Sequence, residues 1–352
     1  MAPTLRLSSR PLNKTPTKRP APYRRLALAL AVALALVLVA AGGVLFSLDI
    51  GYNLPGPSKK AVVVIIPKGA SSARIAAILD AAGIISDARV FRLGLRLFGQ
   101  PGPLRAGEFI FPAHLSAART VGILQSGRTV VRRFTAAEGL SNAEIAAKLA
   151  SAPGLTGAVG ALPDEGRLLP ETYHYAFGDA RQAVLKRMSR SMTVLLNDMW
   201  PKRAKGLPLK SPQEALILAS IVEKETGIES ERPRVAAVFI NRLKRGMRLQ
   251  SDPTVVYGMT FGRRDLGRSL TRNDLRKPTP YNTYIIKGLP PGAIANPGRA
   301  ALRAVLHPAL SDELYFVADG SGGHAFATTL KEHNSNAAKW HELRKKKKGA
   351  AN

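Results

Sequence analysis

Residues 218–227 read LASIVEKETG, and they close a helix whose start is also clearly marked in the sequence. Ser211 is a natural N-cap, Pro212 suits the first helical position, and Glu214 completes a capping box. Gly227 supplies the stop. These signals predict a single helix that ends at the acidic pair of this stretch.

The end of this helix carries two glutamates that point to different sides. Leu218, Ile221 and Val222 form an apolar stripe that runs into the carboxyl group of Glu225. Glu223 points to nearly the opposite side of the helix. A carboxyl group at the end of an apolar stripe is partly desolvated, which raises its pKa and lets it keep a proton near neutral pH.

Two roles fit Glu225. A general acid that cleaves a sugar–sugar bond needs a carboxyl group that stays protonated near neutral pH. A glutamate paired with a nearby Lys or Arg at an ordinary helix end fits the same pattern, because structural ion pairs also occur at such places. Glu225 is therefore a candidate catalytic acid, with the structural ion pair as the alternative.

The N-terminal region predicts a membrane anchor. Residues 26–48 carry no charge and are nearly all Ala, Leu and Val, a length sufficient to span a bilayer. The 25 residues before them hold seven Lys or Arg and no acid, which places the N-terminus in the cytoplasm and the chain after Asp49 outside. A cleaved signal peptide is the alternative, but its apolar core is usually only about 7 to 15 residues long.

Composition narrows the possible partners and cofactors. In a cytosolic protein, a net charge of +28 would favour binding to nucleic acid. In a domain outside the membrane, it favours binding to anionic lipid head groups and acidic wall polymers. The chain has no aromatic-interleaved basic motif, so we expect no nucleic acid partner. It has no cysteine, and His307, His324 and His333 lack metal-ligand spacing, so we expect no metal or cofactor. For His324, packing or a substrate contact is the expected role.

The chain is long enough for two domains with cores of their own, and its patterns predict an α+β fold. The expected order is a disordered basic tail (1–25), a transmembrane helix (26–48), a tether (49–60), a small α+β module (61–150), a linker (151–164), a mixed α/β catalytic domain (165–344) and a basic tail (345–352). In the last domain the sequence predicts further helices at 182–199 and 233–244 and a hairpin of strands 313–318 and 324–328.

The small module contains a partial internal repeat. Five residues recur at an offset of 70: Gly69, Ser71, Ile75, Ala76 and Leu79 match Gly139, Ser141, Ile145, Ala146 and Leu149. Each copy follows a predicted strand, at 61–66 and 130–134, and Ser141 forms a capping box with Glu144. Two such units suggest a LysM-like module that holds a polymer. The alternative is that any strand–turn–helix unit needs a glycine, a serine and an apolar stripe.

Polar residues gather in four segments of the last domain: 165–173, 221–226, 246–254 and 280–298. With these in view, the chain resembles the endolytic murein transglycosylases of the YceG-like family. The likeness runs from about Ala61 to Trp340 and is dense between Leu218 and His333. It includes the run FINRL at 239–243, QSDPT at 250–254 and FVADG at 316–320.

The resemblance implies a single-pass protein of the bacterial inner membrane, with a LysM-like domain and a catalytic domain whose acid lies on a helix as in lysozyme-like enzymes. Its implied activity is cleavage within peptidoglycan glycan strands, beside wall synthases (penicillin-binding proteins) as possible partners. The family's catalytic glutamate is the second one of its Glu-Lys-Glu-Thr motif, which corresponds to Glu225. Helical geometry selects the same residue over Glu223.

The implied chemistry explains why one carboxyl group suffices. Cleavage between N-acetylmuramic acid and N-acetylglucosamine needs protonation of the leaving oxygen as an oxocarbenium-like state develops. A lytic transglycosylase needs no second carboxylate, because the 6-hydroxyl of the sugar attacks C1 and forms a 1,6-anhydro ring. Glu225 would first donate the proton and then accept one from that hydroxyl.

Supporting roles follow from the same resemblance, and each has a structural alternative. The expected substrate-binding residues are Gln250, Asp252, Tyr281, Asn282, Tyr284, Glu171 and Tyr173. Asn282 would hold an N-acetyl group or close a turn, and the tyrosines would stack on sugars or bury their hydroxyls. Asp252 would cap the turn before Pro253 or, across the cleft from Glu225, make the enzyme a hydrolytic muramidase. A non-enzymatic wall-binding scaffold is the third hypothesis.

Overall fold

The computed structural model describes residues 22–349, and the side chains of residues 23–345. The chain divides into two compact units, Met1–Arg128 and Thr129–Asn352. Most of the predicted basic tail at 1–25 lies outside the described residues, and so does the end of the predicted tail at 345–352. The observed architecture is mixed α and β, as expected.

The first unit contains four helices and two strands among the described residues. They are α1 (Pro22–Asn53), β1 (Val62–Ile66), α2 (Ser72–Ala81), α3 (Ala88–Leu97), β2 (Gly107–Phe111) and α4 (Ala117–Ser126). Strands β1 and β2 pair antiparallel, with Val62 opposite Phe111 and Ile66 opposite Gly107. The core beneath them is formed mainly by Ile66, Leu79, Phe91 and Phe109.

The apolar window of helix α1 is unburied, and within the described residues α1 is the one helix long and apolar enough to cross a membrane. It is longer than predicted, because residues 49–53, expected in a tether, continue the helix. Tyr52, in its last turn, is only 3% exposed and belongs to the core of the first unit. Packing of the Tyr52 ring in this core stabilises the last turn of the helix.

The second unit is mainly helical. Its elements are β3 (Val131–Thr135), α5 (Asn142–Ala150), β4 (Thr172–Ala176), α6 (Arg181–Met199), α7 (Pro212–Glu225), α8 (Arg232–Lys244), α9 (Asp252–Thr260), α10 (Arg272–Arg276), α11 (Arg299–Leu306), β5 (Tyr315–Ala318), β6 (His324–Ala327) and α12 (Leu330–Gly349). β3 pairs with β4, and β5 with β6, both antiparallel. The predicted hairpin and the long helices are therefore confirmed.

Helix α7 lies at the centre of the second unit and packs against α8 and α11. All of its residues from Ala215 to Val222 are buried. Ser211 caps it by accepting from the Glu214 N–H, but the Glu214 carboxylate accepts from the Lys210 N–H, so only half of the expected capping box forms. The expected glycine stop is also different, because the helix ends at an extended Thr226 and Gly227 has no left-handed φ.

The two repeat copies have closely similar turns. Gly69 and Gly139 have φ values of 76° and 77°, and Ser71 and Ser141 cap the helices that follow. The full capping box expected at Ser141 is present. The division between the units falls between the two copies, since β1 pairs with β2 and β3 pairs with β4. This division lies within residues 61–150, and the LysM-like module expected there stays a prediction.

A third strand–turn–helix unit joins β2 to α4. His114 takes the left-handed position with φ 55°, and Ser116 caps α4 by accepting from the Arg119 N–H. The residues expected to form a linker, 151–164, are in part packed: Leu155 is buried, and the Thr156 N–H donates to the carbonyl of Asp179.

Candidate active site

Glu225 ends helix α7 and faces a groove. The groove has a volume of about 510 Å³ and is formed by residues from α7, α8, α9, β5, α12 and the intervening loops. Its lining residues are Glu225, Arg242, Leu249, Gln250, Asp252, Tyr284, Tyr315, Phe316, Val317, Leu330, His333 and Asn334. Three of the expected substrate-binding residues, Gln250, Asp252 and Tyr284, lie here with the candidate acid.

Burial raises the pKa of Glu225 to about 7. The nearby negative charge of Asp252 also raises this pKa, whereas a hydrogen bond from the Ser251 hydroxyl to Glu225 Oε1, 2.5 Å long, lowers it. The positive charges of His324 and Arg242 lower it more weakly. A carboxyl group with this pKa is part protonated and part ionised at neutral pH, so it can both donate and accept a proton.

The hydroxyl that contacts Glu225 is held by a buried polar cluster. Gln250 turns the chain with a φ of 51°, in the left-handed region, and its N–H donates to the carbonyl of Thr283. The Ser251 N–H then donates to Thr283 Oγ1 at 2.9 Å, and Thr254 Oγ1 lies 2.8 Å from the same oxygen. Ser251, Thr254 and Thr283 are all buried, so these hydrogen bonds fix the backbone that carries the Ser251 hydroxyl.

Asp252 and Tyr284 form a second polar pair in the groove. The Tyr284 hydroxyl donates to Asp252 Oδ1 at 2.6 Å. Burial, followed by this bond, raises the pKa of Tyr284. Asp252 is exposed and opens α9 without a side-chain cap from Ser251. An exposed carboxylate beside the candidate acid keeps the hydrolytic alternative open.

The basic side chains near Glu225, Arg242 and His324, make their hydrogen bonds to other groups. The Arg242 guanidinium donates to the backbone carbonyls of Leu314, at 2.7 Å, and Leu249, at 2.6 Å. His324 Nδ1 lies 2.7 Å from Glu231 Oε2, and the His324 N–H donates to the other oxygen of that carboxylate. Among the described residues no salt bridge involves Glu225, so the expected structural alternative, an ion pair, is absent there.

Glu223 has the partners that Glu225 lacks. Its carboxylate accepts from the Arg232 guanidinium at 2.9 Å and from the Gly298 N–H at 2.9 Å. The side chain is 4% exposed, and burial raises the pKa of Glu223 against the opposing effects of the Gly298 N–H and Arg232. The expected divergence of the two glutamates is confirmed.

Four of the expected substrate-binding residues lie outside the groove. Asn282 is fully buried, and its amide donates to the carbonyls of Leu275 and Lys277 while Oδ1 accepts from the Tyr284 N–H, so its contacts are those of the turn-closing alternative. Tyr281 packs against Tyr257, with ring centroids 4.9 Å apart.

The other two belong to the region of β4. Tyr173 is buried, and its hydroxyl donates to the carbonyl of Leu169. Glu171 is exposed and lies 3.6 Å from Arg299, in a separate depression. The polar groups of Tyr173 and Asn282 make hydrogen bonds within the protein, and a substrate contact for either residue stays a prediction.

Several groove residues were missed by sequence reasoning. Ser251 stands inside the recognised run at 250–254 but carries no chemistry that singles it out. Arg242, Tyr315 and His333 come from a helix, a strand and a helix far apart in sequence. The His333 ring stacks on Tyr315 with centroids 5.2 Å apart. Within the described part of the chain, no group of three or more His, Asp or Glu side chains could hold a metal ion.

Comparison with known proteins gives consistent matches. A model described as the YceG-like family matches residues 64–339. An endolytic murein transglycosylase of Bacillus subtilis (strain 168) is 29% identical over 341 residues, covering 86% of this chain and 91% of its own. One of Streptococcus pneumoniae (strain D39) is 27% identical over 350 residues and covers 85% of this chain, but the chain spans only 62% of that relative. The 2.6 Å crystal structure of a YceG-like protein of Listeria monocytogenes is also similar, with 29% identity, a TM-score of 0.50, and coverage of 79% of this chain and 99% of that one.

Proposed function

Because the chain belongs to the YceG-like family, we propose that it is an endolytic murein transglycosylase. It cleaves the bond between N-acetylmuramic acid and N-acetylglucosamine within glycan strands and leaves 1,6-anhydro ends. The observation that carries the proposal is the state of Glu225, a groove-facing carboxyl group whose pKa is raised to about 7 and which has a serine as its hydrogen-bond donor.

The reaction requires one group that changes its protonation state twice. Protonated Glu225 gives its proton to the glycosidic oxygen as the bond from that oxygen to C1 breaks. Ionised Glu225 then accepts the proton of the 6-hydroxyl, whose oxygen forms the new bond to C1. The enzyme returns to its protonated state and no water is consumed. The hydroxyl is in the same sugar as C1, so the second step benefits from proximity.

Surroundings of Glu225 suit both halves of this cycle. Burial favours the protonated acid that begins the reaction, and the Ser251 hydroxyl stabilises the carboxylate that forms when the proton leaves. Gln250, Asp252 and Tyr284 offer polar contacts to the sugars, and the half-buried rings of Tyr315 and Phe316 line the same groove.

Cleavage inside a strand requires sugar on both sides of the broken bond. A second cavity of about 590 Å³ lies in the same unit and shares Asp252 with the groove. Its lining includes Lys224, Tyr257, Arg264 and Arg268. Because Asp252 lines both cavities, we propose that a glycan strand extends past this residue from one into the other.

Helix α1 would anchor the enzyme in the inner membrane. The basic residues before it favour an N-terminus in the cytoplasm and a catalytic unit on the outer side, where peptidoglycan is found. A LysM-like module over residues 61–150 would hold the strand, with membrane lipid and wall synthases as partners. These assignments rest on charge distribution and on family resemblance.

A hydrolytic muramidase is the second candidate, because Asp252 provides an exposed carboxylate in the same groove. The experiment incubates the full-length protein in detergent with purified peptidoglycan and determines the masses of the released fragments. Anhydro ends support the transglycosylase, reducing ends support the muramidase, and no release supports a binding scaffold. Glu225→Gln should lower the rate of release by at least about 100-fold, while Glu214→Gln, at the opposite end of α7, should leave it unchanged.

A further inference from the structure

The end of helix α1 is locked onto helix α3 within the first unit. Tyr52 packs on Gly94 so closely that a Cβ at position 94 would lie 2.2 Å from Tyr52 Cδ2. A Cβ at Gly51 would lie 3.4 Å from Val90 Cγ1, and the Tyr52 and Phe98 ring centroids are 6.2 Å apart. Because any side chain at position 94 would separate the two helices, this contact is specific for glycine.

This contact places α3 beside the end of the apolar span. Tyr52 lies four residues after Leu48, the last residue of the predicted span, which is about 6 Å at the helical rise of about 1.5 Å per residue. Val90, Gly94 and Phe98 extend over two turns of α3 and its cap, yet they contact a single turn of α1. The two helices therefore cross, and α3 does not continue along the axis of α1.

The side of α3 turned away from the core combines cations with apolar residues. Arg89, Arg92 and Arg96 are exposed and form one stripe, since they are spaced three and four residues apart. Leu93 and Leu97, which are 44% and 52% exposed, form the adjoining stripe. Among the described residues no carboxylate pairs with these arginines, and the acid that precedes them, Asp87, caps the helix through the N–H groups of Arg89 and Val90.

We propose that α3 is an interfacial helix that docks on the anionic phospholipid surface from which α1 emerges. The arginines bind lipid phosphates, and Leu93 and Leu97 enter the boundary between head groups and acyl chains. The three arginines and Leu93 line one shallow basin of about 600 Å³, large enough for a phosphate-bearing head group. This inference rests on the proposed membrane anchoring of α1.

Two features favour lipid over an acidic wall polymer as the partner. The apolar stripe gains free energy in a membrane interface, whereas a polyanionic, hydrated polymer offers it no partner. The contact with α1 also holds α3 close to the membrane whenever α1 spans it. Docking would then fix the height of the first unit above the lipid and prevent rotation of the unit about the α1 axis.

Depth-dependent fluorescence quenching tests the proposal on the full chain in vesicles. The chain contains no cysteine, so Leu97→Cys carries a single fluorophore on α3 and Ile110→Cys carries the control, on an exposed residue of β2. With phosphatidylglycerol vesicles that contain nitroxide head-group lipids, we expect quenching at position 97 and little at position 110. Equal quenching at the two positions would overturn the proposal.

A charge-matched pair of variants tests the arginines. Each arginine near an anionic surface favours docking by about fivefold, so Arg92→Gln with Arg96→Gln should weaken docking roughly 30-fold. The control, Arg119→Gln with Arg128→Gln, removes the same charge from other exposed residues of the first unit and should keep the quenching at Leu97→Cys. Quenching that survives the first pair unchanged would contradict the proposal. Retained quenching with lost binding to purified peptidoglycan would assign the arginines to the wall instead.

Flotation of the vesicles separates this inference from its premise. Protein that leaves the vesicles in an alkaline carbonate wash would overturn the anchoring by α1 and the docking with it. Protein that stays with the vesicles while position 97 remains unquenched would overturn the docking alone.

Discussion

Glu223 and Glu225 leave the last turn of α7 toward different surroundings. Glu223 accepts from Arg232 and from the Gly298 N–H, so its charge is compensated inside the protein. Glu225 opens into a groove, accepts from the neutral Ser251 hydroxyl, and has a pKa raised to about 7. Burial raises the pKa of both carboxyl groups, but among the described residues only Glu223 of the two forms a salt bridge.

Both carboxyl groups are buried, so burial does not distinguish their roles. Their hydrogen-bond partners separate the structural glutamate from the candidate catalytic one. A glutamate that accepts from an arginine and an amide is held in place by them, and removing one partner of such a buried pair is destabilising. A glutamate with a serine can change its protonation state during a reaction, since a hydroxyl can donate to the carboxylate without adding positive charge. Each of the following variants alters one side of this contrast.

The largest effect is expected from Glu225→Gln. The amide cannot donate a proton as an acid or accept one as a base, so the rate of fragment release should fall by about 100-fold to 10,000-fold. Release is measured as soluble muropeptides per unit time. Activity within a factor of two of the wild type would show that another group supplies the proton.

Glu225→Gln should lower activity but increase stability relative to the wild type as pH rises. The folded-state pKa of Glu225, about 7, lies above its ordinary value of 4.5, so the folded protein binds more protons and loses stability as pH rises from about 4.5 to 7. Glutamine has no such penalty. The melting temperature of the variant relative to the wild type should therefore increase over that interval, as measured by circular dichroism.

The next effect concerns Glu223. Glu223→Gln removes the charge that compensates Arg232, whose side chain is 10% exposed, so we expect a loss of about 2 to 4 kcal/mol in the free energy of unfolding. Glu138→Gln is the matched control, because Glu138 contacts the same arginine at 3.3 Å but is 41% exposed. It should cost less than about 1 kcal/mol. Equal costs in denaturant unfolding would contradict the structural role of Glu223.

Much of this contrast could be predicted from the sequence, because both glutamates belong to one regular helix. The helical period separates Glu223 from Glu225, and the apolar stripe of Leu218, Ile221 and Val222 indicates which one is desolvated. The partners could not be predicted in this way. Ser251 reaches Glu225 across 26 residues and through a left-handed turn at Gln250, which no local pattern encodes.

Polar segments were easier to recognise than the exposure of their side chains. The pair Tyr281 and Asn282 has the composition of a binding site. Asn282 is nevertheless buried, and its amide donates to the carbonyls of Leu275 and Lys277. Periodicity cannot distinguish an amide that closes a turn from one that faces a groove. A strand ending at Phe111 and a helix capped by Ser116 are predicted from the sequence and are present. Their likeness to the two repeat copies was missed, because His114 occupies the left-handed position that glycine holds in the other two.

A smaller effect is expected from Ser251→Ala, which removes the hydroxyl that donates to Glu225. The Ser251 hydroxyl lowers the pKa of Glu225 by stabilising the carboxylate, so its removal should raise that pKa further, by about one unit for a hydrogen bond to a charged group. The first step needs protonated Glu225, and activity should fall as pH rises through its pKa. The alkaline limb of the pH–rate profile should therefore move to higher pH. An unmoved limb would exclude Glu225 as the group that titrates there.

The smallest effect is expected from Asp252→Asn, and it has the opposite sign. The negative charge of Asp252 raises the pKa of Glu225, so its removal should lower that pKa and move the alkaline limb to lower pH, by less than the shift for Ser251→Ala because the residue is exposed. Asparagine keeps an oxygen that can accept from the Tyr284 hydroxyl, so the groove should keep its shape. If Asp252 activated water in a hydrolytic enzyme, the variant would lose most of its turnover along with the reducing ends. Retained turnover with anhydro ends and a shifted limb would leave Asp252 as an electrostatic neighbour of a single catalytic acid.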